Sequence, residues 1–104
     1  MLGINVYKNG VLMAVVQSYQ SCKLNDGATY RLELLHSYPT LEAIKAGWYF
    51  DNDDGKGLDL VIEKQNSRIE YQRCKVADCR WLFDGGYWPK VYLYTVRRKE
   101  MRNE

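Results

Sequence analysis

Four turn signals partition this chain: Asn9-Gly10, Asn25-Asp26-Gly27, Gln65-Asn66-Ser67 and Asp84-Gly85-Gly86, each set between runs rich in Val, Ile, Leu and Tyr. Asn-Gly between two apolar runs is the favoured centre of a type I′ hairpin turn, because both residues tolerate positive φ. Ile4 to Lys8 is therefore expected to pair with Val11 to Val16. The second strand continues through Tyr19, and a strand-like stretch ends at Leu24 before the Asn25-Asp26-Gly27 reversal; Thr29 to His36 supplies the next strand. After the middle of the chain, strands are expected at Leu58 to Glu63, at Arg68 to Val76 with a bulged continuation to Phe83, and at Tyr87 to Arg98. The polar tail from Lys99 to Glu104 reads as a frayed end.

One segment departs from this period. Pro39 and Thr40 precede Leu41-Glu42-Ala43-Ile44-Lys45-Ala46, a run of helix formers that Thr40 can cap and Gly47 can end. Leu41, Ile44 and Trp48 fall on the side predicted to face inward. The fold class is thus mainly β with one short helix: an antiparallel meander forming a small sandwich or barrel. At 104 residues, with 46% apolar and 27% charged residues, it is one domain, residues 1–104, of ordinary globular composition.

The alternation carries an energetic consequence. Val11, Met13 and Val15 point to one side of their strand and Leu12, Ala14 and Val16 to the other; Val91, Leu93 and Thr95 oppose Tyr92, Tyr94 and Val96 in the same way. Burial of each such apolar side chain is worth about 1.5–3 kcal/mol, so a wet face would forfeit several at once. One slim helix cannot cover both faces, which predicts closure of the sheet on itself, a partner subunit, or both.

Chemical signatures are sparse. A register beginning at Asn52 puts Gly57 and Glu63 at the sixth and twelfth positions of a calcium-binding loop, but Lys56 places a cation among the ligands, so Asp51 to Gly57 reads as a solvated turn with no metal. Cys22, Cys74 and Cys79 lack ligand or redox spacing and read as free thiols, with Cys74 and Cys79 as small core residues. His36, the single histidine, has no neighbouring nucleophile pattern. The expectation is a non-enzymatic protein without a cofactor. The opening residues turn polar before a secretory apolar segment forms, and the run Val11 to Val16 falls far short of the roughly 20 residues of a membrane helix, which predicts synthesis in the cytoplasm and no membrane insertion.

A net charge of +2 names no partner. Locally, however, Arg73, Lys75, Arg97 and Arg98 belong to a C-terminal hairpin whose cations are interleaved with Tyr71, Trp81, Tyr87, Trp88, Tyr92 and Tyr94, the composition of a surface that neutralises phosphates and stacks bases; nucleic-acid binding is the alternative function. Host-protein inhibition or adaptation belongs to the same class of small binding modules.

Residues Ser67 to Trp81, with Asp84-Gly85-Gly86 and Val91-Tyr92-Leu93-Tyr94-Thr95-Val96-Arg97-Arg98, resemble the last hairpin of phage tail-tube and related baseplate proteins: a tyrosine, a cysteine, small residues and a tryptophan, then a glycine turn and a closing strand. The resemblance implies ring assembly through edge strands, in a tail, connector or baseplate component of a phage or prophage particle, with the virion as final location. Together with the two-faced strands it makes Trp88, Tyr92, Tyr94 and Val96 the expected interface in a homo-oligomer or against other virion proteins.

Overall fold

Two antiparallel meanders are sewn together at two seams. The computed structural model describes residues 3–45, 55–81 and 89–102, without the side chains of His36, residues 78–81 and Pro89. The first meander comprises β1 (Gly3–Lys8), β2 (Val11–Lys23) and β3 (Tyr30–Pro39), followed by α1 (Leu41–Lys45); the second comprises β4 (Leu58–Lys64), β5 (Ser67–Trp81), β6 (Pro89–Thr95) and β7 (Arg97–Arg102). One seam joins β1 to β4, from Gly3↔Glu63 to Tyr7↔Asp59; the other joins β3 to β6, from Tyr30↔Thr95 to Leu34↔Val91. With β4 also paired to β5, six strands close into an antiparallel barrel in the order β4-β1-β2-β3-β6-β5.

Closure buries the inward set of every strand. Val6 lies between Ala14 and Leu60 in the ladder, and Leu60 faces Tyr71; one level away, Ile4 lies between Val16 and Ile62, which faces Ile69. The far wall contributes Leu32 opposite Leu93 and Leu34 opposite Val91, all four fully buried. These side chains form one continuous core. Much of the cover that the alternation demanded therefore comes from the chain itself.

The first hairpin forms as expected, with positive φ at Asn9 (52°) and Gly10 (79°). A register shift between Val6 and Tyr7 leaves Met13 as an extra residue, so Met13 and Ala14 are both buried while Val11 and Val15 face solvent. The two-sided apolar strand is thus interrupted by a bulge. The stretch ending at Leu24 is no separate strand: β2 is continuous from Val11 to Lys23. Beyond it, Asp26 Oδ1 accepts from the N–H groups of Ala28 (2.9 Å) and Thr29 (2.8 Å), and the Thr29 hydroxyl donates to Oδ2. That hydroxyl, with the two N–H donors, lowers the Asp26 pKa to about 2.

The helix differs from expectation in the side it buries. Leu41 (60% exposed) and Ile44 (53%) face outward, and Ala43 is the buried residue. The cause is the anchoring of Thr40, whose N–H donates to Met13 O (2.8 Å) and whose hydroxyl donates to Leu12 O (2.9 Å). The Ala43 N–H donates to Thr40 Oγ1 (3.3 Å), which caps the helix as predicted and draws its small third residue against the barrel. Trp48, Gly47 and the Asp84-Gly85-Gly86 turn lie outside the described residues. No helix among the described residues is long and apolar enough to cross a membrane.

The tail is the second correction. Residues 99–102 do not fray: with Arg97 and Arg98 they form β7, pairing with β5 from Gln72↔Arg97 to Ser67↔Arg102. β6 and β7 share the register of one long strand along β5, interrupted at Val96. Residues Arg97, Arg98, Lys99, Glu100 and Arg102 give this outer strand a charged edge, a composition that discourages edge-to-edge pairing. Removing interior volume should be far costlier than trimming the helix's outer face. Leu60→Ala is expected to lose about 2–5 kcal/mol in urea unfolding, against about 0.5 kcal/mol or less for Leu41→Ala.

Candidate anion-binding cleft

The barrel wall splits where β5 parts from β4. Residues 67–74 of β5 pair with β4, the last contact being Leu58↔Cys74, while residues from Lys75 onward pair only with β6. At that level Arg73 adopts a left-handed conformation (φ 51°), costly for a residue with a Cβ. Polar contacts hold the distortion. The Arg73 N–H donates to Asp59 Oδ1 (3.1 Å), the Cys74 thiol donates to Tyr71 O (3.2 Å), and the Thr95 hydroxyl donates to Gln72 O while accepting from the Arg97 N–H (3.1 Å). Backbone groups displaced from the ladder are thereby satisfied.

The split opens a cleft of about 580 Å³, within the size range of small-ligand sites. One side carries Lys8, Gly57 and Leu58; the other carries Arg73, Lys75, Tyr94, Val96 and Arg97. Arg73, Lys75 and Arg97 are exposed, and none forms an ion pair with another described residue. Lys8 is largely buried and already engaged. No carboxylate lines the cleft among the described residues. Asp59 borders an adjoining depression beside Lys56, where its carboxylate is occupied by the Arg73 N–H. Three cations thus share one opening with no neutralising carboxylate among the described residues, an arrangement that attracts anions.

Of the residues expected to bind nucleic acid, Arg73, Lys75 and Arg97 meet at this cleft, and Arg98 does not. Arg98 packs by Tyr71: its Nε donates to the Tyr71 hydroxyl (3.3 Å), its Nη2 reaches Glu100 (3.3 Å), and its guanidinium lies 5.7 Å from the Tyr71 ring centroid and 5.9 Å from that of Tyr30. The expected interface divides as well. Tyr94 and Val96 line the cleft, Val96 being 63% exposed, whereas Tyr92 lies near Arg31 (5.0 Å) and Lys90 (5.8 Å). Trp88 lies outside the described residues. Lys90 in turn binds Glu33 at 2.6 Å, and this contact lowers the Glu33 pKa and raises that of Lys90.

Of the two cysteines expected in the core, Cys74 is buried and the side chain of Cys79 lies outside the described residues, while Cys22 is exposed. Cys22 lies on the outer half of β2, beyond the reach of the β1 pairing, so it fills no core. Burial pushes the Cys74 thiol up to about 12, which keeps it protonated at neutral pH despite its place beside the cleft. Among the described residues no three His, Cys, Asp or Glu side chains are grouped to hold a metal ion.

Gly57 is the residue that sequence reasoning missed. It reads there as part of a solvated turn, but with φ 75° it lies so close to β5 that a Cβ would stand 2.8 Å from the Arg73 carbonyl carbon and 3.0 Å from Cys74 O. Its signal in the sequence, a glycine just before a strand, is shared by ordinary turns. Gly57→Ala is expected to destabilise the fold by about 1–3 kcal/mol in chemical unfolding, through the positive φ and the backbone clash. Comparison of the chain with protein-family models, curated proteins and solved structures gives no match.

Proposed function

We propose that the chain is a non-catalytic binding module whose working surface is the cleft at the β4–β5 split, and that its partner is anionic there. The observation that carries this reading is the convergence of Arg73, Lys75 and Arg97, unpaired with any described carboxylate, around an opening lined by no acid among the described residues. Three neighbouring like charges repel one another and cost stability unless an anion compensates them. The neutral Cys74 thiol argues against thiolate chemistry at the same place. Titration calorimetry with inorganic tripolyphosphate at about 50 mM salt tests the reading. Binding is expected to weaken at least about tenfold in the Arg73→Gln/Lys75→Gln/Arg97→Gln variant. Equal affinity of variant and wild type, or no binding by the wild type, would overturn it.

A second reading, an assembly component of a phage or prophage particle, is what the resemblance of residues 67–98 implies. One observation favours self-association: Val15 and Tyr38, cross-strand neighbours, are exposed together, and Leu41 and Ile44 are exposed on the helix. In that case concentrated protein should run as an oligomer in light scattering, and Val15→Glu should convert it to monomer; a wild-type monomer at all concentrations would remove this reading.

A further inference from the structure

We infer that the anion taken by the cleft is a nucleotide unit, with its phosphates on Arg73, Lys75 and Arg97 and its base stacked on Tyr94. This rests on the anion-binding reading and adds the aromatic half of the ligand. Tyr94 stands in a cross-strand row with Arg31 on one side and Lys75 on the other, and it lines the cleft. Tyr94 is half-buried as a residue, and its ring makes no contact with another ring or a cation among the described residues. The other tyrosines near this wall differ. Tyr19 and Tyr30 pack edge-on against Tyr71, at 6.5 and 5.6 Å between centroids, and Tyr92 lies by Arg31 and Lys90. An aromatic face without a ring or cation partner, beside three cations without an ion-pair partner, both among the described residues, suits a ligand that is planar at one end and anionic at the other. Exposed Val96 extends the apolar part of the lining.

An acidic peptide would use the cations equally but has no need of the ring. Base stacking on an aromatic residue requires a base out of its duplex, so the ligand is a free nucleotide or a single-stranded segment. The same stacking is tolerant of base identity, and no sequence preference is expected.

The test is fluorescence anisotropy with a labelled oligothymidylate of roughly ten nucleotides. Competitors are the matching duplex, ATP, tripolyphosphate and a polyglutamate peptide, on wild type, Tyr94→Ala and Tyr94→Phe. Single-stranded binding is expected to fall about tenfold in Tyr94→Ala and to persist in Tyr94→Phe. Three phosphate contacts on a single strand predict a slope of about −2 for log affinity against log salt. Circular dichroism melting shows whether each variant is folded, and Tyr94→Phe retains the ring in case Tyr94→Ala is not. Direct binding of a fluorescently labelled ATP, titrated separately, with the same dependence on Tyr94 and no oligonucleotide binding, would support the nucleotide unit from a free source. Tripolyphosphate, polyglutamate or duplex binding as tight as the oligonucleotide, with Tyr94→Ala unchanged, would overturn this inference and leave the anion-binding reading standing. Absence of binding by every anion would overturn both.

Discussion

Antiparallel pairing at two seams, β1 with β4 and β3 with β6, is the interaction on which the molecule depends. Each meander taken alone is an open ribbon of three or four strands with an apolar face and unpaired edges, a marginal object in water. Joining them turns both inner faces toward one another and satisfies the edge N–H and C=O groups in the same step. The core residues Val6, Leu60, Leu32 and Leu93 all lie on strands that meet at a seam, so hydrogen bonding and apolar burial are coupled in the same ladders.

The cleft follows from a mismatch of length within that closure. β4 spans Leu58–Lys64, whereas β5 runs over Ser67–Trp81 and must leave its partner behind at Cys74. Beyond that point β5 continues with β6 as its support, and the wall opens on the β4 side. The departure is held by a left-handed Arg73, the Asp59 carboxylate on its N–H, and the Thr95 hydroxyl bridging β5 and the start of β7. Backbone irregularity and exposed charge therefore coincide at one level of the barrel, a common association at binding sites. Gly57 makes the coincidence possible by letting the loop before β4 touch the distorted segment.

Local rules were legible wherever the physics is local. Asn9-Gly10 fixes its hairpin because its backbone preference needs no tertiary support, and Thr40 caps α1 for the same reason. Rules that depend on neighbours misled. Leu41 and Ile44 have helical core spacing, yet the contacts of Thr40 with Leu12 and Met13 set the helix orientation and leave them outside. Lys99 to Arg102 look like a solvated tail because charge is a poor guide to an edge strand whose backbone alone is used. Met13 is buried only because a bulge displaces the alternation, and a one-residue slip cannot be read from apolar residues on both sides of it.

The sequence by itself determined a β-rich chain with tight hairpins, one short helix, an inward set on the last strand, and a local excess of cations and aromatic residues near the end. Those properties reside in near-neighbour backbone preference and period-two alternation. Only the tertiary structure decided which strands meet across the two seams, that the sheet closes, and that Arg73, Lys75 and Arg97 share an opening with Tyr94 while Arg98 turns away to Tyr71. The physical reason is that a seam joins residues far apart in sequence, as in Val6 with Leu60, whose pairing is selected by the combined burial of the whole barrel and by no signal within either strand.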